Sequence, residues 1–180
     1  PASKQTMIAD KREIVASELV ADTKKLSIGG TELEIDNLGR GHTGGDLVVY
    51  LPQSKVMFMS ELYTRDIFPP MITGFPREGA ATIRKAQAMN VAWYIPGHGS
   101  TDGDAASLKA DLVAFLKAID FVNAEAARLR AMGEKCVSEQ DCPASAKVAW
   151  GDYTKWALFR QQAPRALARA YKDLESGLPH

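Results

Sequence analysis

The sequence predicts an α/β domain in which a mixed β-sheet is backed by helices. Short β-rich apolar runs, punctuated by turn residues, occupy much of the first hundred positions. One helical segment interrupts them near residues 78–89, and from Asp104 onward apolar residues recur at helical spacing. No linker-like shift in composition divides the chain, so residues 1–180 read as a single domain, with 104–180 mainly helical.

The elements follow in order. Asp10 to Leu19 reads as the end of a helix. Lys25 to Ile28 and Thr31 to Asp36 alternate apolar and polar residues around Gly29-Gly30, the signature of a hairpin. Asp46 to Leu51 and Lys55 to Met59 are apolar runs on either side of Pro52-Gln-Ser54 and predict a second, buried hairpin. A loop rich in Pro and Gly, Phe68 to Pro76, leads to a helix over Glu78 to Met89, with Ile83, Ala86 and Met89 on one face and Asn90 as its stop. Val91 to Ile95 predicts a strand ended by Pro96-Gly-His-Gly99. Leu108, Leu112, Phe115, Ile119 and Val122 then form an amphipathic stripe on a helix that Gly133 ends. A further helix is expected over Lys147 to Gln161, and a last one from Pro164 to Gly177.

Composition narrows the function classes. Lys+Arg and Asp+Glu are equal at 22 each, so no net field gathers nucleic acid or anionic lipid. No apolar run approaches the roughly 20 residues that span a bilayer. Neither nucleic acid nor membrane is expected as a partner. Cys136 and Cys142, the only cysteines, flank a polar stretch. They are either a local disulfide, which favours a periplasmic or secreted location, or two free thiols. The chain opens at Pro1 with no initiator Met and reads as starting after a cut.

Two of the three histidines stand in unusual company, in Gly41-His-Thr-Gly-Gly-Asp46 and Pro96-Gly-His-Gly99. Each follows a Gly at the edge of an expected strand, where a sharp turn can bring an imidazole out of the sheet edge. Imidazole is a preferred zinc ligand. A His in a Gly-rich loop is also an ordinary turn residue. Thr43 and Asp46 are candidates either for fixing the ring of His42 from a second layer or for capping the turn. Trp93, Trp150 and Trp156 read as core and packing residues. Arg77 and Arg84 are surface cations that could meet an anionic substrate.

Gly41-His-Thr-Gly-Gly-Asp-Leu-Val-Val-Tyr-Leu-Pro52 resembles the segment of the metallo-β-lactamase superfamily that carries its third metal-binding His. The strand Val56-Met-Phe-Met59 then leads to Glu61 at the position of the bridging carboxylate, and Trp93-Tyr-Ile-Pro-Gly-His-Gly99 resembles the segment with the last metal-binding His. The resemblance covers about Leu26 to Thr101 and implies a zinc-dependent hydrolase acting through a metal-bound hydroxide. It implies His42, Glu61 and His98 as metal ligands, two zinc ions in the complete enzyme, and Glu61 as the catalytic acid or base if it does not ligate. It also implies half of an αββα metallo-β-lactamase-like sandwich, present as its C-terminal portion.

The sequence departs from the family at two places. Ser60-Glu61 stands where Gly-Asp is usual, and the His-x-His-x-Asp-His cluster is absent. Zinc is therefore expected to bind this chain weakly and hydrolysis by it alone to be slight. A missing N-terminal half or self-association is expected to complete the site and cover the open sheet face. The alternative is a non-catalytic assembly or binding domain that keeps the half-fold. A helical interaction module docking through Leu108 to Val122 is a third reading.

Overall fold

A computed structural model of the chain describes residues 7–9, 12–14, 16, 18–138 and 142–175. Strands β1 (Met7–Ala9) and β2 (Arg12–Ile14) pair antiparallel as a small separate sheet. The helix expected from Asp10 is therefore replaced over Arg12–Ile14 by a strand. Three residues between polar neighbours carry too short a pattern to separate the two periods.

The main sheet has five strands in sequence order: β3 (Thr23–Ile28), β4 (Thr31–Asp36), β5 (Val48–Leu51), β6 (Val56–Phe58) and β7 (Trp93–Ile95). The first three pairings are antiparallel and the last, β6 with β7, is parallel. The sheet is mixed, as expected. Gly29 and Gly30 both adopt positive φ and close the β3–β4 hairpin in register Ile28↔Thr31. Such a two-residue turn needs left-handed backbone at both positions, which glycine adopts at no steric cost.

Three helices pack together beside the sheet: α1 (Pro76–Ala88), α2 (Ala105–Ala131) and α3 (Phe159–Glu175). Pro76 is the first residue of α1, where its missing N–H costs no hydrogen bond. Asp104 caps α2 in a capping box with Ser107, and Gly133 follows the helix at φ 76°. The stripe Leu108, Leu112, Phe115, Ile119 and Val122 is buried in the core, which removes it as a docking surface.

Alternation along the strands divides the sheet into two unlike faces. Val48, Tyr50, Met57 and Tyr94 join the core, and the Tyr94 hydroxyl donates to the Ala86 carbonyl of α1. On the other face Val49, Leu51, Val56 and Ile95 are half-buried, while Phe58 is 46% and Trp93 37% exposed. Trp93 is thus not a core residue.

The helix expected over Lys147 to Gln161 is absent. Two 3-10 turns, Pro143–Lys147 and Gly151–Lys155, stand there instead. Trp150, Tyr153, Trp156 and Phe159 recur every three residues, the period of a 3-10 turn, and all four rings surround the buried Phe68 edge-on. α3 then begins at Phe159, so Pro164 lies inside the helix and not at its start. The bond Pro164 cannot donate is offset by the burial of Ala163, Ala166, Leu167, Ala170 and Tyr171. Gly177, expected as its end, lies outside the described residues, as does His180. Cys136 and Cys142 form a disulfide, which settles the thiol alternative.

Candidate functional site

The site lies at the ends of β6 and β7. Met59 N–H donates to the Ile95 carbonyl, and the chain after β6 then enters a 3-10 turn, Ser60–Leu62. Ser60 has φ 51°, a left-handed conformation that turns Glu61 off the strand direction. The segment after β7 runs alongside this turn: Gly97 N–H donates to the Tyr63 carbonyl, Arg65 N–H donates to the His98 carbonyl (2.9 Å each), and Thr64 and His98 form an isolated parallel bridge. Gly97 makes the approach possible, because a Cβ there would collide with the Ser60 backbone.

This arrangement sets His98 Nε2 2.7 Å from Glu61 Oε1. The two side chains are 60% and 38% exposed, so water screens the pair and its contribution to stability is small. Two of the three residues singled out by the sequence are thereby in contact.

His42 arrives from the other side, on the loop between β4 and β5. Gly41 presses against Leu62, Phe75 N–H donates to the Gly41 carbonyl (2.7 Å), and a Cβ on Gly79 of α1 would stand 3.2 Å from Gly41 Cα. Asp46, 7% exposed, accepts from both the backbone N–H and the hydroxyl of Thr43 (2.9 and 2.7 Å). Thr43 and Asp46 therefore cap the turn, and their hydrogen bonds run to each other rather than to the His42 ring. Nδ1 of His42 is buried without a hydrogen-bond partner. A buried ring nitrogen left in this state carries a desolvation cost that an added donor, acceptor or ion relieves. His42 and Glu61 line one cleft together with Pro69, Pro70, Met71 and Phe75.

Tyr63, next to this turn, is fully buried with its hydroxyl unpartnered, and burial pushes its phenol well above the usual tyrosine value. Arg65 was not foreseen. Its guanidinium donates to Asp111 of α2 (2.8 Å) and to the carbonyls of Ser100 and Asp102, so it ties down the segment after His98. No local pattern announces it, since Asp111 is 46 residues away. Arg77 and Arg84 are engaged by Asp173 and Asp120 at 3.0 and 2.7 Å, which makes them helix-packing cations.

Imidazole nitrogen and carboxylate oxygen suit zinc, and the unpartnered His42 nitrogen adds to that fit. The number of donors does not suit it. Among the described residues no group of three or more His, Cys, Asp or Glu stands close enough to hold a metal, whereas a catalytic zinc takes about three protein ligands. These residues alone do not fit a complete zinc centre.

Comparison with solved structures gives the fold. Metallo-β-lactamase IND-7 matches at 24% identity over 60% of this chain and 50% of its own, with TM-score 0.52. The stereoselective inverting sec-alkylsulfatase Pisa1 from Pseudomonas sp. matches at 16% identity over 86% of this chain and 26% of its own, with TM-score 0.65. A metallo-β-lactamase from Pontibacter korlensis matches at 28% identity over 54% of this chain and 47% of its own, with TM-score 0.46. No family model and no curated protein matches. The chain spans about half the length of these lactamases and about a quarter of the alkylsulfatase. Its α/β fold matches part of the metallo-β-lactamase-like fold.

Proposed function

We propose that this chain is part of a zinc-dependent hydrolase of the metallo-β-lactamase superfamily and forms one side of its catalytic centre. The observation that carries the reading is the contact of His98 with Glu61, on a carboxylate that shares a cleft with His42. In the completed centre His42 would serve one ion and His98 the other. Glu61 would serve as a further zinc ligand, or as acid or base. Zinc, when bound, supplies a water acidic enough to yield hydroxide near neutral pH. The substrate is a small molecule with a hydrolysable bond: a β-lactam, lactone, thioester, or phospho- or sulfo-ester.

The remaining donors come from outside the described residues, from a missing N-terminal half of the sandwich or from a second copy of this chain. Either would lie against the sheet face that carries Phe58 and Trp93, whose exposed apolar side chains favour such a cover. The Cys136–Cys142 disulfide supports a periplasmic or secreted location.

Native mass spectrometry with elemental metal analysis tests the reading. Zinc travelling with a complex heavier than the 19.6 kDa chain, whose added portion brings His or Asp donors, is the expected result. A metal-free species that takes up no zinc overturns it. That outcome favours a non-catalytic assembly or binding domain, a reading supported by the lack of any three-donor group among the described residues.

A further inference from the structure

His42 and His98 differ in what orients their rings. His98 has the Glu61 carboxylate beside Nε2, while Nδ1 of His42 is buried without a partner. The placement of His42 depends on the backbone of its own loop and on whatever holds that backbone.

The segment 73–75 lies directly against that loop. A Cβ on Gly74 would stand 2.7 Å from the Gly41 carbonyl oxygen and 3.6 Å from His42 Cα. The Thr73 hydroxyl lies 3.5 Å from the His42 carbonyl oxygen, and Phe75 N–H donates to the Gly41 carbonyl. In so close a packing, a shift of 73–75 either carries Gly41 and His42 with it or breaks these contacts.

Helix α3 holds the same segment. Arg169 Nε donates to the Gly74 carbonyl across 95 residues of sequence, and its guanidinium lies 5.5 Å from the centroid of the Phe75 ring. A second guanidinium, that of Arg40, lies 4.2 Å from the same centroid. Arg40 stands two residues before His42 and is paired with Glu78, so its charge does not repel the first cation from the shared ring. One turn further along α3, Asp173 accepts from Arg77 Nε at 3.0 Å, which ties the same face of the helix to the start of α1.

We infer that Arg169 is a positioning residue for His42: through Gly74 and the Phe75 ring, the last helix fixes where the His42 loop stands. That this placement serves catalysis rests on the hydrolase reading. The hold on His42 rests on the contacts alone.

The test is NMR on the full chain. Arg169→Ala is compared with Arg160→Ala, which removes an equal charge from an exposed position on the same helix. In Arg169→Ala the Phe75 amide should exchange with solvent about ten-fold faster or more, and the His42 ring cross-peaks should move. The Arg65 amide, which donates to the His98 carbonyl, and the His98 ring should stay as in the wild type. Arg160→Ala should change none of these. Equal acceleration at Phe75 and Arg65 would mean a general loss of structure and overturns the proposal, as does an unmoved His42 ring. Arg169→Lys keeps a cationic donor for the Gly74 carbonyl and should bring Phe75 exchange back to within about three-fold of the wild type. A lysine variant as fast as the alanine variant also overturns it.

Should Arg169→Ala not fold, Phe75→Leu removes the ring that both guanidinium groups address and leaves the main-chain bond to Gly41. The His42 cross-peaks should move in that variant while those of His98 stay, and unmoved His42 cross-peaks overturn the proposal. Zinc content is measured on the same samples. A wild-type chain that takes up no zinc, alone or in its assembly, removes the hydrolase and leaves the role of Arg169. Zinc uptake with His42 unmoved in Arg169→Ala removes that role and leaves the hydrolase.

Discussion

The two histidine loops are fastened differently. The His98 loop is fastened through its backbone: it lies along the turn after β6, exchanges main-chain hydrogen bonds with Tyr63 and Arg65, and relies on Gly97 to come close enough. The His42 loop is fastened through both kinds of contact: Phe75 N–H donates to the Gly41 carbonyl, and the side chain of Asp46 accepts from Thr43 and closes the turn. One histidine arrives with its ring beside a partner, the other with a buried nitrogen unpartnered.

The sharpest way to break this contrast is Gly97→Ala. Its Cβ would overlap the Ser60 backbone, and a loss of about 2–3 kcal/mol in urea unfolding is expected. Gly44→Ala, with nothing near its Cβ, should change stability by less than about 0.5 kcal/mol. Equal effects at the two positions would show that backbone fit does not distinguish the loops. Next in size, Asp46→Ala should cost about 1–3 kcal/mol and release the amide of Thr43 to hydrogen exchange. A protected amide in that variant would mean the His42 loop has other anchors. Glu61→Gln should cost less than about 1 kcal/mol, since both partners are well exposed, and urea midpoints check it.

The smallest effect at neutral pH is expected from Tyr63→Phe, because the hydroxyl it removes has no partner. Alkaline pH separates the two proteins. The phenol titrates higher in the folded state than in the unfolded one, so its contribution is fully present below about pH 10 and is lost as pH rises beyond that. Melting temperatures measured from pH 8 to 11 should fall more steeply for the wild type than for the variant. Parallel curves would remove Tyr63 as the cause.

Much of the fold was legible because its pattern is local. Gly29-Gly30 between alternating runs, the apolar pair around Pro52 and the stripe from Leu108 to Val122 each state their element within a dozen or so residues. The segment 147–161 departs from the helix its pattern predicts because spacings of three and of three-to-four residues look alike over so short a run. What decides between them is the distant ring of Phe68. At the site the sequence pointed to His42, Glu61 and His98, and the fold brings the last two into contact. It gave no sign of Arg65, whose partners on α2 and in the segment after His98 meet it only through tertiary structure.

The parallel pairing of β6 with β7 joins parts of the chain that lie far apart in sequence. β3 to β6 pair as sequence neighbours, closely joined at β3–β4 and β5–β6 and through the longer loop 37–47 at β4–β5. β7 adds its parallel edge through a crossover that carries α1 between Val56 and Trp93. Glu61 follows β6 and His98 follows β7, so their contact exists only with that crossover in place.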